Sequence, residues 1–313
     1  MTIATQVDLV GVGLNATDTL IVVPHHPALG SKVEFHSADI LPGGQVATAI
    51  AACQQWGLRT RYVGKVGDDS AAAVHRAEFE RLGVEAHLMT AKGCASQQAV
   101  ILVDDAGERT VLWKRDHRLT LQPEELRREW ITNARALHVD GHDTAAAALA
   151  AGWARQAGIP VVADLDDVYP GVEALIAKVD YLITSRDIPG RLAGDSDLRR
   201  SLPALHNRFG CLLAAATLGP AGVLAWDGVR FHYAPAFQVS PKDTTGAGDI
   251  FHAGFIFGLL QGWGLPRQLD FACAAAALNC SALGARGGIQ PIENIETLMA
   301  TGARHASAFD DAG

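Results

Sequence analysis

The feature that most constrains the fold is an alternation of apolar runs and helical segments in the second half of the chain. The apolar runs are IPVVADLD, YLITS and CLLAAATLG, and they lack the polar residue at every second position that a half-exposed strand shows. Around them lie the helical segments VEALIAKVD, DLRRSLPALHNRFG and DTAAAALAAGWARQAG, the last with Asp143 and Gly158 as predicted caps. This rhythm predicts an α/β fold in which helices cover both faces of a mainly parallel sheet. Farther on, VLAW and VRFHYA flank Asp227-Gly228, which predicts a hairpin with a type I′ turn.

Extended segments of a different kind interrupt the first half. VDLVGVG is followed by TDTLIVVP, which is β-branched and ends in proline, and ASQQAVILVDDAGERTVLWKRD contains two strands joined at Asp105-Ala106-Gly107. Helical segments separate these pieces, and no linker divides the chain. We therefore predict one domain over residues 1–313, with a small β lid formed by strands from about residues 14–40 and 96–118.

Composition excludes several classes of protein. The chain has 26 basic and 34 acidic residues, and the basic ones form no stripe, which argues against nucleic-acid binding. The five cysteines form no C-x-x-C pair, as expected in a reducing compartment. No signal peptide and no apolar run of membrane-spanning length is recognisable. We expect a cytoplasmic protein without nucleic-acid or membrane partners.

Two familiar nucleotide-binding motifs fail on their context. GVGLNA, from Gly11 to Ala16, matches a dinucleotide fingerprint, but strand-favouring residues follow it where the fingerprint needs a helix. Gly64-Lys65 is followed by Val66, where a Walker A loop needs Ser or Thr. The pattern therefore argues against a Rossmann or P-loop protein.

HVDGH, from His138 to His142, could suggest a metal site, but a strand-end loop with flanking histidines is the favoured interpretation. Asp140 within it is a candidate of another kind. A carboxylate at the carboxyl end of a buried strand lies where α/β proteins bind ligands.

The stretch DTTGAGD, from Asp243 to Asp249, opens an apolar helix. Gly246, Ala247 and Gly248 place consecutive backbone N–H groups at the helix start, which predicts a site for an anion. Asp249 would repel a bound phosphate if it served only in binding, and its placement is that expected of a base that takes a proton from an attacking hydroxyl. The alternative is a tight turn capped by an aspartate.

Two further glycine turns are ambiguous alone. Gly43-Gly44 opens a helix, and TLGPAG, from Thr217 to Gly222, closes a core strand. Each is either a plain loop or a place where backbone approaches a ligand. Three such turns at strand ends of one sheet together indicate a ligand site.

The chain resembles the ribokinase-like (PfkB) family of small-molecule kinases over nearly its full length, from DLVGVG to LGARGGIQP. DTTGAGDIFHAGF matches the family's C-terminal signature, and PGGQVATAIAACQQWG resembles its N-terminal one. The resemblance implies a three-layer sandwich with a mainly parallel central sheet, flanking helices and a β lid. In many members the lid also forms a contact between two subunits, so the resemblance implies a homodimer through the lid.

The resemblance also implies a role for each matching residue. Asp249 is implied as the catalytic base, with an anion hole formed by Gly246, Ala247 and Gly248. The positions that resemble sugar-binding residues are Asp18, Gly43, Gly44, Thr48 and Asp140. The positions that resemble ATP-binding residues are Ser185, Thr217, Gly219 and Gly222. Asp243 and Thr245, with the 282–288 loop, resemble positions that in some members bind a monovalent cation, so K⁺ joins ATP and Mg²⁺ among the expected cofactors.

Two departures leave the sugar and the placement of magnesium open. Thr48 stands where members commonly carry Asn, and Ser185 and Ile188 stand at the ends of the family's N-x-x-E motif. Similar losses occur in the ketohexokinase and sulfofructose kinase branches, which the chain resembles most. We predict an ATP-dependent kinase that phosphorylates a hydroxymethyl group of a ketose or pentose. The alternatives are a nucleoside kinase, which the 6% aromatic content disfavours, and a non-catalytic sugar or nucleotide sensor, which would not need Asp249.

Overall fold

The computed structural model describes residues 6–309. Its strands are β1 Val7–Val12, β2 Ala16–Val22, β3 Ser37–Gly43, β4 Thr60–Val66, β5 Glu85–Thr90, β6 Gln98–Val103, β7 Arg109–Lys114, β8 Ala134–Asp140, β9 Val161–Leu165, β10 Tyr181–Ser185, β11 Leu213–Thr217, β12 Val223–Trp226 and β13 Phe231–Ala234. Its α-helices are α1 Gln45–Gln55, α2 Ser70–Leu82, α3 Arg128–Thr132, α4 Thr144–Gln156, α5 Val172–Ile176, α6 Ile188–Ala193, α7 Leu198–Phe209, α8 Ala247–Leu260, α9 Leu265–Asn279 and α10 Ile292–Thr301.

The main sheet has the strand order β13-β12-β11-β10-β9-β8-β1-β4-β5. From β11 to β5 every neighbouring pair is parallel, and only β12 and β13 are added antiparallel. The predicted mainly parallel sheet is thus confirmed. Strand β1 lies between β4 and β8, so the order of the sheet reverses there, and open α/β sheets bind ligands outside such a switch point.

Helices cover both faces of this sheet. Neighbouring residues of one strand point to opposite faces. In β1, Leu9 belongs to the apolar cluster of Ile50 in α1 and Phe255 in α8, whereas Val10 belongs to the cluster of Leu175 in α5. Burial on both faces explains why the strands are continuous apolar runs. The three-layer α/β sandwich is confirmed.

One local prediction was wrong, and a second was confirmed in position only. The β12–β13 loop has four residues, 227–230, and a type I′ turn is excluded because no described residue other than glycine has a positive φ. Asp227 Oδ1 instead accepts the backbone N–H groups of Val229 and Arg230, both at 2.8 Å. Asp143 does hold the N-cap position of α4, but its carboxylate makes no cap hydrogen bond and pairs with Arg115 Nη2 at 2.6 Å.

A second, four-stranded sheet has the order β3-β2-β6-β7. Only β2 and β6 are parallel, and β6 and β7 form the hairpin predicted at residues 105–107. The tip of this hairpin reaches the segment that leads into α8, since a Cβ at Gly107 would lie 3.2 Å from Pro241 O. Within the described residues, no helix is both long enough and apolar enough to cross a bilayer.

Candidate active site

The first turn of α8 lies beside the carboxyl ends of the central strands. Gly246 is its N-cap, with φ of 76°, and a Cβ there would lie 2.4 Å from Ala285 O, so only glycine fits. Gly248 has open space around it and is exposed, and the N–H of Ala247 makes only a 3.3 Å contact with Thr244 O. The first N–H groups of a helix have no partner within it, so this turn offers donors to an anion.

Asp249 follows these amides within the same turn and is partly exposed. Burial raises the pKa of its carboxyl group to about 6, while the charges of Arg109 and Arg286 oppose that shift. The group is ionised at neutral pH, and its pKa is close enough to 7 for proton transfer in both directions. Its position and pKa suit a general base.

Asp18 of β2 lies next to the glycine pair. A Cβ at Gly43 would lie 2.0 Å from Asp18 Oδ2, so Gly43 is needed for this close approach. Asp18 is 6% exposed, and burial, with the charge of Asp249 as the second cause, raises its pKa to about 7. The structure thus brings Asp18, Gly43 and Asp249 together from three elements.

Gly44 and Thr48 begin α1 on the same side. Gly44 has φ of 94°, and a Cβ there would lie 2.4 Å from Asn15 Cα. Thr48 is fully buried, and its Oγ1 accepts a hydrogen bond from Arg286 Nε at 3.2 Å. The threonine hydroxyl that replaces the expected Asn is therefore already in contact with an arginine.

Asp140 ends β8 and is fully buried. Its Oδ2 accepts the N–H of Leu14 at 2.6 Å and its Oδ1 accepts the N–H of His142 at 3.0 Å, which joins the ends of β1 and β8. Burial raises its pKa to about 6, against these two hydrogen bonds. Both oxygens serve the backbone, so a substrate contact by Asp140 stays a prediction.

The histidines around Asp140 have structural partners. His138 is fully buried, with Nδ1 3.1 Å from Val162 O and its ring stacked on His252 at 5.7 Å. Burial lowers the pKa of His138 to about 3. No group of three or more His, Cys, Asp or Glu residues in the described chain has the geometry of a metal site.

The predicted nucleotide-binding residues lie at the ends of β10 and β11. Ser185 and Thr217 are register partners on the two strands. Gly219 begins the short 3₁₀ turn after β11, and Gly222 caps its end. Gly219 has open space around it. Gly222 is required both by its φ of 87° and by packing, because a Cβ there would lie 2.0 Å from Ala234 O.

Most oxygens of the predicted cation residues already accept hydrogen bonds from nitrogen donors, although Thr245 Oγ1 is buried without a partner among the described residues. Asp243 accepts the N–H of Thr245 on Oδ1 and that of Gly284 on Oδ2, both at 2.8 Å. Asn279 Nδ2 donates to the carbonyl oxygens of Thr245 at 3.3 Å and Ala285 at 3.1 Å. K⁺ needs a ring of oxygens that replaces its water shell. Here the side-chain amide of Asn279 joins the two loops instead.

The residues at the carboxyl ends of β9 and β10 do fit magnesium bound with a nucleotide. Ile188 is buried, so the N-x-x-E position supplies no ligand. Asp166 is exposed just after β9, and its Oδ1 accepts the hydroxyl of Tyr169 at 2.7 Å. Its charge acts on Asp249, where it raises the pKa. Mg²⁺ needs only one or two carboxylates when phosphates supply further oxygens.

Sequence reasoning missed Arg109 and Arg286, the two cations that act on Asp249. It also missed His252, whose Nδ1 lies 2.8 Å from Gly248 O and 3.4 Å from Asp164 Oδ2. This buried histidine ties the first turn of α8 to the end of β9. The one available signal was a charged residue inside the glycine-rich stretch GARGG.

Helix amides next to a carboxylate, at the switch point of a parallel sheet, form the arrangement that phosphoryl transfer to a hydroxyl requires. The fold is that of the ribokinase-like kinases: ribokinase from Thermotoga maritima aligns with a TM-score of 0.80 at 21% identity, over 94% of this chain and 100% of that one. The model for pfkB family carbohydrate kinases matches residues 8–292. The chain belongs to this family and is an ATP-dependent sugar kinase.

Two relatives show the range of similarity. The chain is 30% identical to the ATP-dependent ribose-1-phosphate kinase of Halopiger xanaduensis over 275 residues. This alignment covers 86% of this chain and 90% of the relative. The chain is 24% identical to the ribokinase of Bacillus subtilis over 312 residues, and this alignment covers 92% of this chain and 98% of the relative.

Proposed function

We propose that this kinase transfers the γ-phosphoryl group of ATP to a hydroxymethyl group of a small sugar, a ketose or a pentose. The observation that carries the proposal is Asp249, placed in the same helical turn as the backbone amides of residues 246–248. Asp18 and Gly43 lie on the side of Asp249 where the sugar would bind. The similarity to a ribose-1-phosphate kinase and a ribokinase supports a sugar as the acceptor.

In the proposed reaction, Asp249 accepts the proton of the sugar's hydroxymethyl group while the oxygen of that group attacks the γ-phosphorus. The bond between that phosphorus and the oxygen bridging it to ADP breaks, and the amides at the start of α8 stabilise the charge on the group in transfer. ATP would lie along Ser185 and the Thr217–Gly222 turn. When Mg²⁺ is bound with ATP, it neutralises phosphate charge, and Asp166 is the carboxylate that would hold it.

The second sheet would act as a lid over the sugar. Its inner face carries Asp18, and the tip of its β6–β7 hairpin lies against Pro241, next to the predicted anion hole. Closure of this kind excludes water, which would otherwise accept the phosphoryl group.

The test is ADP release measured with ketoses, pentoses, sulfosugars and nucleosides, for the wild type and for Asp249→Asn. We expect turnover with a sugar, and we expect Asp249→Asn to lower kcat by at least the ~10²–10⁴-fold typical of a general base, with the melting temperature retained. Full activity of Asp249→Asn would refute the mechanism. Turnover of nucleosides alone would refute the sugar.

A further inference from the structure

Arg286 lies in the loop between α9 and α10 and reaches the glycine pair that begins α1. Its Nε donates to Thr48 Oγ1 at 3.2 Å and its Nη2 donates to Gly43 O at 3.0 Å. The guanidinium carbon lies 6.0 Å from the centre of the Phe79 ring. Two hydrogen bonds and an aromatic ring fix the orientation of a planar, rigid group.

The remaining nitrogen of this group, Nη1, is buried and has no hydrogen-bond partner in residues 6–309. Both hydrogen bonds that Arg286 makes go to neutral oxygens. Burial lowers the pKa of Arg286 to about 10, so it still carries its charge at neutral pH. A buried charged donor without an acceptor is costly, and that cost is relieved when a ligand supplies one.

The position of Arg286 indicates that the ligand of Nη1 is the acceptor sugar and not ATP. Its two anchors, Gly43 O and Thr48 Oγ1, belong to the turn that packs against Asp18. Arg286 also lowers the pKa of Asp18 more than Arg109 does, whereas Arg109 has the larger effect on Asp249. Arg286 therefore lies on the Asp18 side of the base, at the glycine pair of the proposed sugar site.

We propose that Arg286 Nη1 binds the acceptor sugar, and that the group it binds is negatively charged: a phosphate, carboxylate or sulfonate. A charged donor pairs best with a charged oxygen. The nearest carboxylate does not fill this role, because Asp18 makes no hydrogen bond with Arg286 and its pKa of about 7 leaves it only partly ionised. This inference rests on the proposed kinase function and specifies its substrate class.

The experiment compares kcat/KM for matched pairs of neutral and charged sugars, such as ribose with ribose 1-phosphate and fructose with sulfofructose. We expect the wild type to prefer the charged partner of a pair. Arg286→Met should lower kcat/KM for that partner by about 10- to 100-fold, the value of a charge-assisted hydrogen bond. Both rates are compared well above the pKa of Asp249, where the base is ionised with or without the Arg286 charge. The loss on the neutral partner and the change in the KM for ATP should then be much smaller than the loss on the charged partner, and Arg286→Lys should recover part of the latter.

Arg304→Met is the matched control, because Arg304 packs on Phe237 at 3.9 Å and pairs with Asp270 at 3.0 Å, among residues outside the site. It should leave the preference intact. If Arg286→Met does not fold, as a melting curve would show, Arg286→Lys and the wild-type preference carry the test. Equal use of both partners by the wild type, or an equal loss on both in the variant, would overturn the inference and leave the kinase function standing. Absence of turnover with every sugar would overturn both.

Discussion

Two arginines from distant parts of the chain favour the ionised form of the proposed base. Burial raises the pKa of Asp249 to about 6, and Arg109 of β7 opposes this more strongly than Arg286 of the loop before α10. Arg109 is exposed and makes no ion pair or hydrogen bond in the described structure that would divert its charge. The second sheet thus contributes a cation to the electrostatics of the proposed catalytic turn.

Removal of Arg109 should shift the pH dependence of the reaction. A protonated Asp249 cannot accept a proton, so kcat/KM should fall by about tenfold per unit as the pH drops below the pKa of Asp249. Arg109→Gln removes a cation that favours the ionised carboxylate, so the fall should begin at a higher pH than in the wild type. The measurement is the pH profile of kcat/KM for the acceptor sugar.

Lys114→Gln is the control, since Lys114 and Arg109 are five positions apart on β7 and point to opposite faces of the second sheet. It removes the same charge from the same strand and should leave the profile in place. If the acid limb of the kcat/KM profile is unchanged in Arg109→Gln, Arg109 does not act on the ionisation of Asp249.

The residues that could be found from the sequence are those whose signal is local. Asp249 and the glycines before it form one turn, and the seven-residue stretch DTTGAGD is enough to show a carboxylate next to glycines at the start of a helix. Arg109 and Arg286 carry no such signal, because their position depends on how the second sheet and the 282–288 loop pack. The hydrogen bonds that occupy Asp140 and Asp243 were likewise invisible, since each donor comes from another part of the fold or from the turn geometry.

At the scale of the elements, two loops meet beside the proposed catalytic turn, and Asn279 holds them together. Its Nδ2 donates to the carbonyl oxygens of Thr245 and Ala285, and its Oδ1 accepts the N–H of Gly288 at 3.2 Å. Asn279 is fully buried at the end of α9. These contacts fix the loop that carries Arg286 relative to the start of α8.

We therefore expect turnover to be independent of monovalent cations. Rates in potassium chloride and in tetramethylammonium chloride at equal ionic strength should agree within about twofold, because the carbonyl oxygens a cation would use already accept hydrogen bonds. Asn279→Ala frees these oxygens and should lower the melting temperature. A strong activation of the wild type by K⁺ would show that the loops rearrange around the ion.

Strands and helices followed from the sequence where one pattern dominated. The parallel strands were visible because burial on both faces makes them apolar throughout. Strand β5 was not anticipated, because EAHLMT is half exposed at the sheet edge and shows no apolar run. The type I′ turn was wrong because Asp227 does not adopt the positive φ that this turn requires, and its side chain accepts the N–H groups of Val229 and Arg230 in a four-residue loop instead.

At the scale of the whole molecule, the second sheet has two faces of different character. Its inner face packs Leu20 and Ile101 against the body of the protein. On its outer face, cross-strand neighbours place Ile40, Thr19, Val100 and Leu112 in one row across all four strands. Ile40 is 65% exposed and Leu112 is 61% exposed. A contiguous apolar row on a β-sheet is typical of a surface that another protein covers.

We expect a second copy of this chain to cover that row, so that the protein is a homodimer through the second sheet. Two identical rows related by a twofold axis bury their apolar side chains against each other, as an isologous interface requires. Leu112→Glu should place a charge in the middle of this contact and shift sedimentation from dimer to monomer. Val229→Glu is the control, because Val229 is 83% exposed in the β12–β13 loop, outside the second sheet, and should leave the dimer intact. A wild type that sediments as a monomer at micromolar concentration would refute this assembly, and kinase activity retained in monomeric Leu112→Glu would show that each chain completes its own site.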